Sequence, residues 1–331
     1  MNTEKLEISS ESIQHAGDIL RKGGLVAFPT ETVYGLGADA LNGEAVKAVY
    51  AAKGRPSDNP MIVHIAETEQ LADLIAELPA HAGPLIRAFW PGPITFVFRK
   101  TDQVPETTTG GLDTVAIRMP SNETARRLIL AAGVPVAAPS ANLSGKPSPT
   151  TAADVLEDMD GRIDAVLLGE DCAVGIESTV LDLTGEVPMI LRPGFITKEM
   201  LETVLGSEVR YDPSLFRQPD GEDFKPRSPG MKYKHYTPNA EVRLIAGEPE
   251  AVHARIEALR TEAEEAGRTV AVLDYRDPRE AAKDFFARLR EIDREGVDLV
   301  LVRALKEEEL GLSVMNRMLK SAGYNIEQVQ A

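Results

Sequence analysis

A proline-rich segment, residues 209–240, constrains the fold most because it divides the chain into a long and a short part. Most of it has the sequence RYDPSLFRQPDGEDFKPRSPGMKYKHYTPNA, which shows neither helical nor strand periodicity. Proline and other turn-forming residues at this density predict a linker. With 331 residues the chain is long enough for two domains, which we expect over residues 1–208 and 241–331.

The part after the linker alternates strand-like and helix-like patterns. The spacing of Val252, Ile256 and Leu259 places them on one face of a predicted helix. The predicted elements are a strand over 241–246, a helix over 249–266, a strand over 268–275, a helix over 278–295, a strand over 297–303 and a helix over 311–322. This alternation predicts a small Rossmann-like domain with a parallel sheet. No G-x-G-x-x-G sequence is present, so dinucleotide binding is not indicated.

The long part mixes short apolar strands with helices less regularly. Its first predicted helix covers residues 10–22 and ends at Gly23-Gly24. Strands are predicted over 25–28, 61–65, 94–98, 114–118, 134–138, 164–168, 178–183 and 189–192, and further helices over 43–52, 68–77, 83–89, 121–132 and 151–158. This pattern predicts an α/β domain with a mixed sheet.

Charge and composition narrow the function. The net charge is −16, divided into −13 over 1–208, +2 over 209–240 and −5 over 241–331, which argues against broad nucleic-acid binding but permits a small cationic pocket. No apolar run approaches the ~20 residues of a membrane span, and the polar start MNTEKLEISSES is unlike a secretory signal. The single Cys172 excludes an intramolecular disulfide and a multi-cysteine zinc site. We therefore expect a cytoplasmic protein.

Two polar segments follow early predicted elements. PTETVYGLG, residues 29–37, joins hydroxyl groups to flexible glycines, which suits a polar ligand, but by itself it slightly favours a strand–turn connection with self-capping threonines. KGRPSDNP begins with Lys53 and Arg55, whose charges suit phosphate or carboxylate oxygens or, alternatively, the dipole of the preceding helix.

Two predicted strands carry a basic side chain on one face. His64 alternates with Met61, Val63 and Ile65, and a lone histidine there is more often structural than functional. Arg118 alternates with apolar residues in TVAIRMP and needs a partner, either an internal carboxylate or an anionic ligand.

Three further segments place hydroxyls and cations at strand ends. The long segment VPVAAPSANLSGKPSPT, 134–150, supplies small hydroxyl and amide groups that suit phosphate binding, with a plain surface loop as the alternative. It lacks the spacing of a P-loop. GIESTVLDL and ILRPGFI add Ser178 and Arg192. Strand ends of α/β sheets are common ligand sites.

The ordered set of motifs resembles the YrdC-like threonylcarbamoyl-AMP synthase family. The resemblance runs through PTETVYGLG, KGRPSDNP, PGPITFVF, TVAIRMP, APSANLSG, PSPT, GIESTV and LRPG, and it covers about residues 10–206. SPGMKYKHYTP (228–238) and GLSVMNRMLKSAG (311–323) resemble the longer, two-domain branch. The resemblance implies a twisted mixed-sheet YrdC-like domain with a ligand cavity, followed by the Rossmann-like domain.

The resemblance also implies an enzyme, a nucleotidyltransferase that makes L-threonylcarbamoyl-AMP and pyrophosphate from L-threonine, bicarbonate or CO2, and ATP. A separate transferase complex then modifies an adenosine of certain tRNAs, so direct tRNA binding by this chain is not expected. Mg2+ is expected to accompany ATP, with no metal ligand from protein side chains.

The resemblance assigns roles to residues at the matching positions of this sequence. The implied catalytic residues are Lys53, Arg55, Ser140 and Asn142. The implied threonine-binding residues are Thr32, His64, Arg118, Ala138 through its backbone, and Ser178. The implied nucleotide-binding residues are Arg55, Asn59, Thr114, Ser140, Ser148, Arg192 and Tyr236.

The chemistry of that reaction fits these residue types. A threonine N-carboxylate would attack the α-phosphate of ATP, so cations must bring two anions together. No residue has the pattern of a covalent nucleophile, and Cys172 lies outside the motifs and is expected to be buried. The resemblance further implies that the linker, with Lys232, Tyr233, Lys234, His235 and Tyr236, closes over the nucleotide.

Two other functions remain as alternatives. An RNA-binding module without ATP turnover would need a basic, aromatic face, which is not visible in the acidic N-terminal part. A carbamoyl-transfer module of the hydrogenase-maturation type would carry zinc-finger cysteines and an acylphosphatase segment, and neither is present in this sequence.

Overall fold

The computed structural model describes residues 2–57, 59–216, 226–228 and 236–330. The chain divides into two compact units, Met1–Ser144 with Ser148–Lys232, and Gly145–Pro147 with Tyr233–Ala331. The sequence boundaries at 208/209 and 240/241 stay predictions. Part of the predicted linker is regular, since Arg210–Tyr211 form a strand and Pro213–Phe216 a 3-10 helix. Elements this short show no periodicity in a sequence.

The first unit contains one sheet of 11 strands. The strands are β1 Glu4–Glu7, β2 Val26–Phe28, β3 Gly35–Asp39, β4 Ile62–His64, β5 Ile94–Arg99, β6 Thr114–Arg118, β7 Val136–Ala137, β8 Ala165–Leu168, β9 Thr179–Asp182, β10 Met189–Arg192 and β11 Arg210–Tyr211. Their order is β1-β8-β2-β3-β7-β4-β6-β5-β9-β10-β11. The sheet contains parallel pairs such as β4 with β6 and antiparallel pairs such as β5 with β6, so the predicted mixed sheet is confirmed.

Eight α-helices belong to the described part of this unit. They are α1 Ser10–Arg21, α2 Gly43–Lys53, α3 Leu71–Leu74, α4 Ala82–Phe89, α5 Glu106–Thr109, α6 Glu123–Ala132, α7 Ala152–Met159 and α8 Lys198–Leu205. A 3-10 turn, Thr68–Gln70, precedes α3. The helix predicted over 68–77 was too long, because Ile75 adopts an extended conformation and bridges Lys100. Tertiary pairing here overrides local helical preference.

Strand β3 was missed because its sequence GLGAD is glycine-rich and resembles a loop. A Cβ at Gly37 would lie 2.8 Å from Val136 and 2.9 Å from Phe28. Glycine is therefore required by close packing within the sheet rather than by a turn.

Helices cover both faces of the sheet, and each face carries buried apolar clusters. One face packs against α2, α3, α4, α7 and α8, and its cluster contains Val63, Ile117 and Met119, as the alternation predicted. The other face packs against α1 and α6 beneath β2, β7 and β8. Helix α1 begins at the cap Ser9, and its Gly17 lies where a Cβ would stand 2.7 Å from the Ala131 backbone of α6. Local capping and close helix contact together fix this layer.

The second unit contains a four-stranded parallel sheet. Its elements are β12 Glu241–Gly247, α9 Pro249–Glu265, β13 Val270–Leu273, α10 Pro278–Glu295, β14 Leu299–Arg303, α11 Glu309–Ser321 and β15 Ile326–Val329, in strand order β13-β14-β12-β15. All of its pairs are parallel, so the predicted Rossmann-like sheet is confirmed. Val252, Ile256 and Leu259 are buried against this sheet, which confirms the predicted face of α9.

The described residues include no helix long and apolar enough to cross a membrane.

Candidate active site

The predicted site residues begin with a row that crosses the middle of the large sheet. His64 on β4 pairs with Arg118 on β6, and Arg118 pairs with Thr95 on β5. Thr95 pairs with Val180 on β9, which in turn pairs with Arg192 on β10. Directly paired residues on neighbouring strands share a face and lie about 5 Å apart. The register therefore aligns a histidine, a hydroxyl and two guanidinium groups from separate parts of the sequence.

Arg118 lies at the centre of this row and is only 4% exposed. Its Nη2 lies 2.8 Å from Oε1 of Glu31, and its Nη1 donates a 2.8 Å hydrogen bond to Oγ1 of Thr32. Its Nε donates to the carbonyl oxygen of Gly92. The internal carboxylate that the sequence offered as a partner of Arg118 is therefore Glu31.

The hydroxyl of Thr32 has a defined role in this cluster. Thr30 donates its proton to the carbonyl oxygen of Val33, and the two threonine hydroxyl oxygens lie 3.0 Å apart. Thr32 must therefore donate to Thr30 while its oxygen accepts from Arg118. The threonine-rich segment holds the guanidinium in one orientation.

The carboxylate of Glu31 is buried but weakly bonded. Neither of its oxygens accepts a hydrogen bond of strict geometry from a described residue, although Nη2 of Arg118 approaches at an oblique angle and the backbone N–H groups of Glu31 and Ser121 lie close to the carboxylate. Burial raises the pKa of Glu31, but the charge of Arg118 and these weak hydrogen bonds together outweigh burial and hold the pKa below its usual value. Glu31 is thus an anion with spare acceptor capacity.

His64 is a neutral side chain in this site. Burial, with a smaller contribution from the charge of Arg118, lowers the pKa of His64 to about 3. Its Nδ1 lies 3.2 Å from the carbonyl oxygen of Ile62, and its ring meets Phe28 edge to face. A neutral imidazole can hydrogen-bond to a ligand hydroxyl without adding charge.

Ser178 joins Thr95, in the middle of the row, to Arg192 at one end. Its Oγ lies 2.7 Å from Oγ1 of Thr95 and accepts a 3.1 Å hydrogen bond from Nη2 of Arg192. The Nε of Arg192 also donates to the backbone carbonyl oxygen of Ser178. The segment GIESTV, which contains Ser178, is also bonded to Thr32, because the backbone N–H of Gly175 donates to the Thr32 carbonyl oxygen. The structure therefore brings Thr32, Arg118 and Ser178 together.

Lys53, Ser140 and Asn142 form a second cluster. Lys53 is the last residue of α2, and its Nζ donates to the backbone carbonyl oxygens of Ser140 and of Asn142. Gly54 ends the helix in the left-handed conformation, with a φ of 62°, so the chain changes direction directly after Lys53. Ser140 donates a 2.5 Å hydrogen bond to Oδ1 of Asn142. Lys53 thus bonds to two carbonyl oxygens of the loop after β7.

Arg55 and Asn59 lie in the segment that follows α2. The Arg55 guanidinium lies 6.0 Å from the centre of the Tyr50 ring. Asn59 is fully buried, and neither polar atom of its side chain has a hydrogen-bond partner among the described residues. Buried amides are normally bonded, so Asn59 is suited to a polar ligand.

Ser148 and Ala138 complete the loop after β7. Ser148 donates a 2.7 Å hydrogen bond to Oε1 of Glu177, which is also buried. The N–H of Ala138 donates to the carbonyl oxygen of Ile62. A backbone contact from Ala138 to a ligand would therefore use its carbonyl oxygen.

Two predicted nucleotide-binding residues lie outside these clusters. Thr114 begins β6, four residues before Arg118, which separates the two by about 13 Å along the strand. Tyr236 belongs to the second unit, where its buried ring stacks on Phe286 at 4.8 Å. The predicted lid residues Lys232, Tyr233, Lys234 and His235 lie outside the described residues.

The lone cysteine is buried near Arg118 and Glu31. Burial raises the pKa of the Cys172 thiol to about 12. Within the described ranges, no group of three or more His, Cys, Asp or Glu side chains is arranged to hold a metal ion.

Two family models match the chain. A model described as "Telomere recombination" matches residues 18–194, and one described as "Threonylcarbamoyl-AMP synthase, C-terminal domain" matches residues 196–323. A threonylcarbamoyl-AMP synthase of Pyrococcus abyssi is 46% identical and covers 97% of each chain. The chain belongs to the threonylcarbamoyl-AMP synthase family.

Other members of this family agree with that assignment. The threonylcarbamoyl-AMP synthase of Bacillus subtilis is 44% identical, over 97% of this chain and 96% of its own. A crystal structure of Pyrococcus abyssi Sua5 complexed with L-threonine has a TM-score of 0.94 and 45% identity, and covers 100% of both chains. The resemblance inferred from the motifs is confirmed.

Three further residues of this candidate site were not assigned from the sequence. They are Glu31, Thr95 and Glu177, which contact Arg118, Ser178 and Ser148 respectively. A polar residue at an alternate position of the apolar strand ITFVF is a signal for Thr95. Glu31 lies in the motif PTETVYGLG and Glu177 in GIESTV, but the residues that they contact are distant in the sequence.

Proposed function

We propose that this protein synthesises L-threonylcarbamoyl-AMP and pyrophosphate from L-threonine, bicarbonate or CO2, and ATP. The single observation that carries the proposal is its full-length similarity, at a TM-score of 0.94, to a Sua5 structure complexed with L-threonine. The family assignment supports this enzyme over the RNA-binding and carbamoyl-transfer alternatives.

The central row suits a small hydroxy amino acid. Arg118 is a buried guanidinium that can bind the α-carboxylate in a bidentate manner. Thr32, Ser178 and neutral His64 supply polar groups for the side-chain hydroxyl. A site that pairs a substrate hydroxyl rejects analogues lacking it, because its own buried polar groups are then left unpaired.

The loop over 139–150 suits the nucleotide. Lys53 holds the carbonyl oxygens of Ser140 and Asn142, which leaves their side chains fixed at the start of the loop. Arg55 and Arg192 supply positive charge, and Asn59 supplies an unpaired buried amide. The described acids near the site form no metal-binding group, so Mg2+ would enter on the phosphate oxygens of ATP and neutralise part of their charge.

The reaction follows from these positions in two steps. The threonine ammonium group first loses a proton to solvent, and the resulting amine attacks CO2 to give an N-carboxylate as a second proton is released to solvent. An oxygen of that carboxylate then attacks the α-phosphate, the bond to the β-phosphate oxygen breaks, and pyrophosphate leaves. The protein aligns the two anions and neutralises their charge rather than forming a covalent bond. The raised pKa of Cys172 argues against a thiolate nucleophile.

The product would pass to a separate transferase that modifies tRNA. The net charge of −13 over residues 1–208 disfavours tRNA binding by this chain itself. This handover, and the cytoplasmic location expected from the sequence, are parts of the proposal.

The test is pyrophosphate release with each component omitted in turn. Release should require ATP, L-threonine and bicarbonate together, and Arg118→Ala should abolish it. The matched control is Arg99→Ala, which removes an arginine that is half-exposed at the far end of β5. Pyrophosphate release that does not depend on threonine would refute the proposal.

A further inference from the structure

Glu31 is a buried acid whose only described charged partner is Arg118. Its side chain is 10% exposed, and Oε1 lies 2.8 Å from Nη2 of Arg118. No described residue donates a hydrogen bond of strict geometry to either carboxylate oxygen, and the nearby backbone N–H groups of Glu31 and Ser121 contribute only weakly. A buried carboxylate normally accepts several hydrogen bonds, so this one is underused.

The charges beside Thr32 match those of an amino acid. Arg118 donates to Thr32 and pairs with Glu31, whereas the second guanidinium of the row, Arg192, is bonded to Ser178. A free amino acid brings one carboxylate and one ammonium group. If only the carboxylate were paired, burial of the ammonium would be strongly unfavourable. The adjacent anion removes that penalty.

The oblique angle of the ion pair leaves part of the Glu31 carboxylate available to a ligand. Arg118 donates hydrogen bonds from Nη1 to Thr32 and from Nε to the carbonyl oxygen of Gly92, and it contacts Glu31 through Nη2. Glu31 therefore keeps lone pairs that Arg118 does not occupy. A ligand ammonium can occupy these without breaking the guanidinium's contacts to Thr32 and Gly92.

We infer that Glu31 is a substrate-binding residue that receives the α-ammonium group of the amino acid while Arg118 receives its carboxylate. The inference rests on the proposed function, because it concerns the same substrate. It assigns the recognition of the amino group to a side chain of opposite charge.

The experiment compares two ligands on two proteins. Wild type and Glu31→Gln are titrated calorimetrically with L-threonine and with 2,3-dihydroxybutanoate of matching configuration, in which a hydroxyl replaces the amino group. Glu44→Gln is the matched control, because Glu44 is an exposed acid on α2. ATP binding and the thermal midpoint report whether each variant is folded.

Glu31→Gln should weaken L-threonine binding about tenfold or more, since a charged partner is lost. Binding of the amine-free analogue should be unchanged or tighter, because Arg118 then has no competing anion. If both ligands weaken equally, Glu31 only orients Arg118 and the inference is wrong. Threonine binding that stays within about twofold of wild type would also overturn it.

The same experiment distinguishes a failure of the proposed function from a failure of the inference about Glu31. If wild type binds no L-threonine and releases no threonine-dependent pyrophosphate, the reaction itself is wrong. If wild type does both and only the Glu31→Gln result disagrees, the inference alone is wrong.

Discussion

The Nζ atom of Lys53 lies 2.6 Å from the carbonyl oxygen of Asn142, a residue 89 positions further along the chain. The same ammonium donates to the carbonyl oxygen of Ser140. The end of α2 and the predicted phosphate-binding loop are thereby joined by charge-assisted hydrogen bonds. Lys53 therefore stabilises the backbone of this loop through two carbonyl oxygens, whichever substrate the loop binds.

Lys53→Met should therefore loosen the loop and destabilise the protein. We expect a loss of about 3 kcal/mol, because two buried carbonyl groups lose a charged donor. Amide hydrogen exchange over 139–150 should accelerate, and exposed Lys47→Met on the same helix is the control. Unchanged exchange with a loss of ATP turnover would instead place Lys53 on the phosphate.

Ser178→Ala should raise the KM for L-threonine about fivefold to tenfold, the typical effect of one lost hydrogen bond. Thr95→Val keeps the shape of the side chain and removes only the hydroxyl 2.7 Å from Ser178, so its effect should be in the same direction but smaller. Both are measured at saturating ATP. A raised KM for ATP with an unchanged KM for threonine would contradict the assignment.

His64 should make the protein less stable in acid. The unfolded side chain binds a proton near pH 6.5, whereas burial lowers the pKa of His64 to about 3 in the folded state. Unfolding therefore takes up a proton as the pH falls below 6.5. The free energy of unfolding should decrease by up to about 1.4 kcal/mol per pH unit from this group.

Denaturant unfolding between pH 6.5 and pH 5 measures this slope, and above pH 7 the contribution of His64 is constant. His64→Asn should have a flatter slope over this range. Equal slopes in wild type and variant would mean that His64 is protonated in the folded protein.

Cys172 should be chemically inert in the folded protein. Burial raises the pKa of its thiol to about 12, so at pH 8 only about one molecule in ten thousand is a thiolate. Iodoacetamide should label it fully in guanidinium chloride and negligibly without denaturant, as seen by mass spectrometry. Cys172→Ala should retain threonine-dependent pyrophosphate release; loss of release in a folded variant would restore the nucleophile hypothesis.

Removal of Mg2+ should separate the two substrates. With EDTA present, threonine-dependent pyrophosphate release should fall to background, because the phosphate charge is no longer neutralised. Calorimetric binding of L-threonine should stay within about twofold, since its site is formed by Arg118 and the adjoining hydroxyls. A parallel loss of threonine binding would indicate a metal ion among the threonine-binding residues.

Local patterns in the sequence predicted most elements of both sheets. Alternation placed Val63, Ile117 and Met119 in one cluster, and helical spacing placed Val252, Ile256 and Leu259 on the buried face of α9. The glycine-rich β3 and the break at Ile75 were missed, because each depends on a distant strand.

The sequence by itself determined most of the element types, the face on which the residues of the predicted strands lie, and the family, because side-chain periodicity and ordered motifs are local properties of the chain. Only the tertiary structure decided that Arg118 pairs with Glu31, that Thr95 joins it to Ser178, and that Lys53 holds the Asn142 carbonyl. These pairs depend on strand order and register. Burial over the whole sheet sets that register, since a slip of one residue would move every side chain to the opposite face.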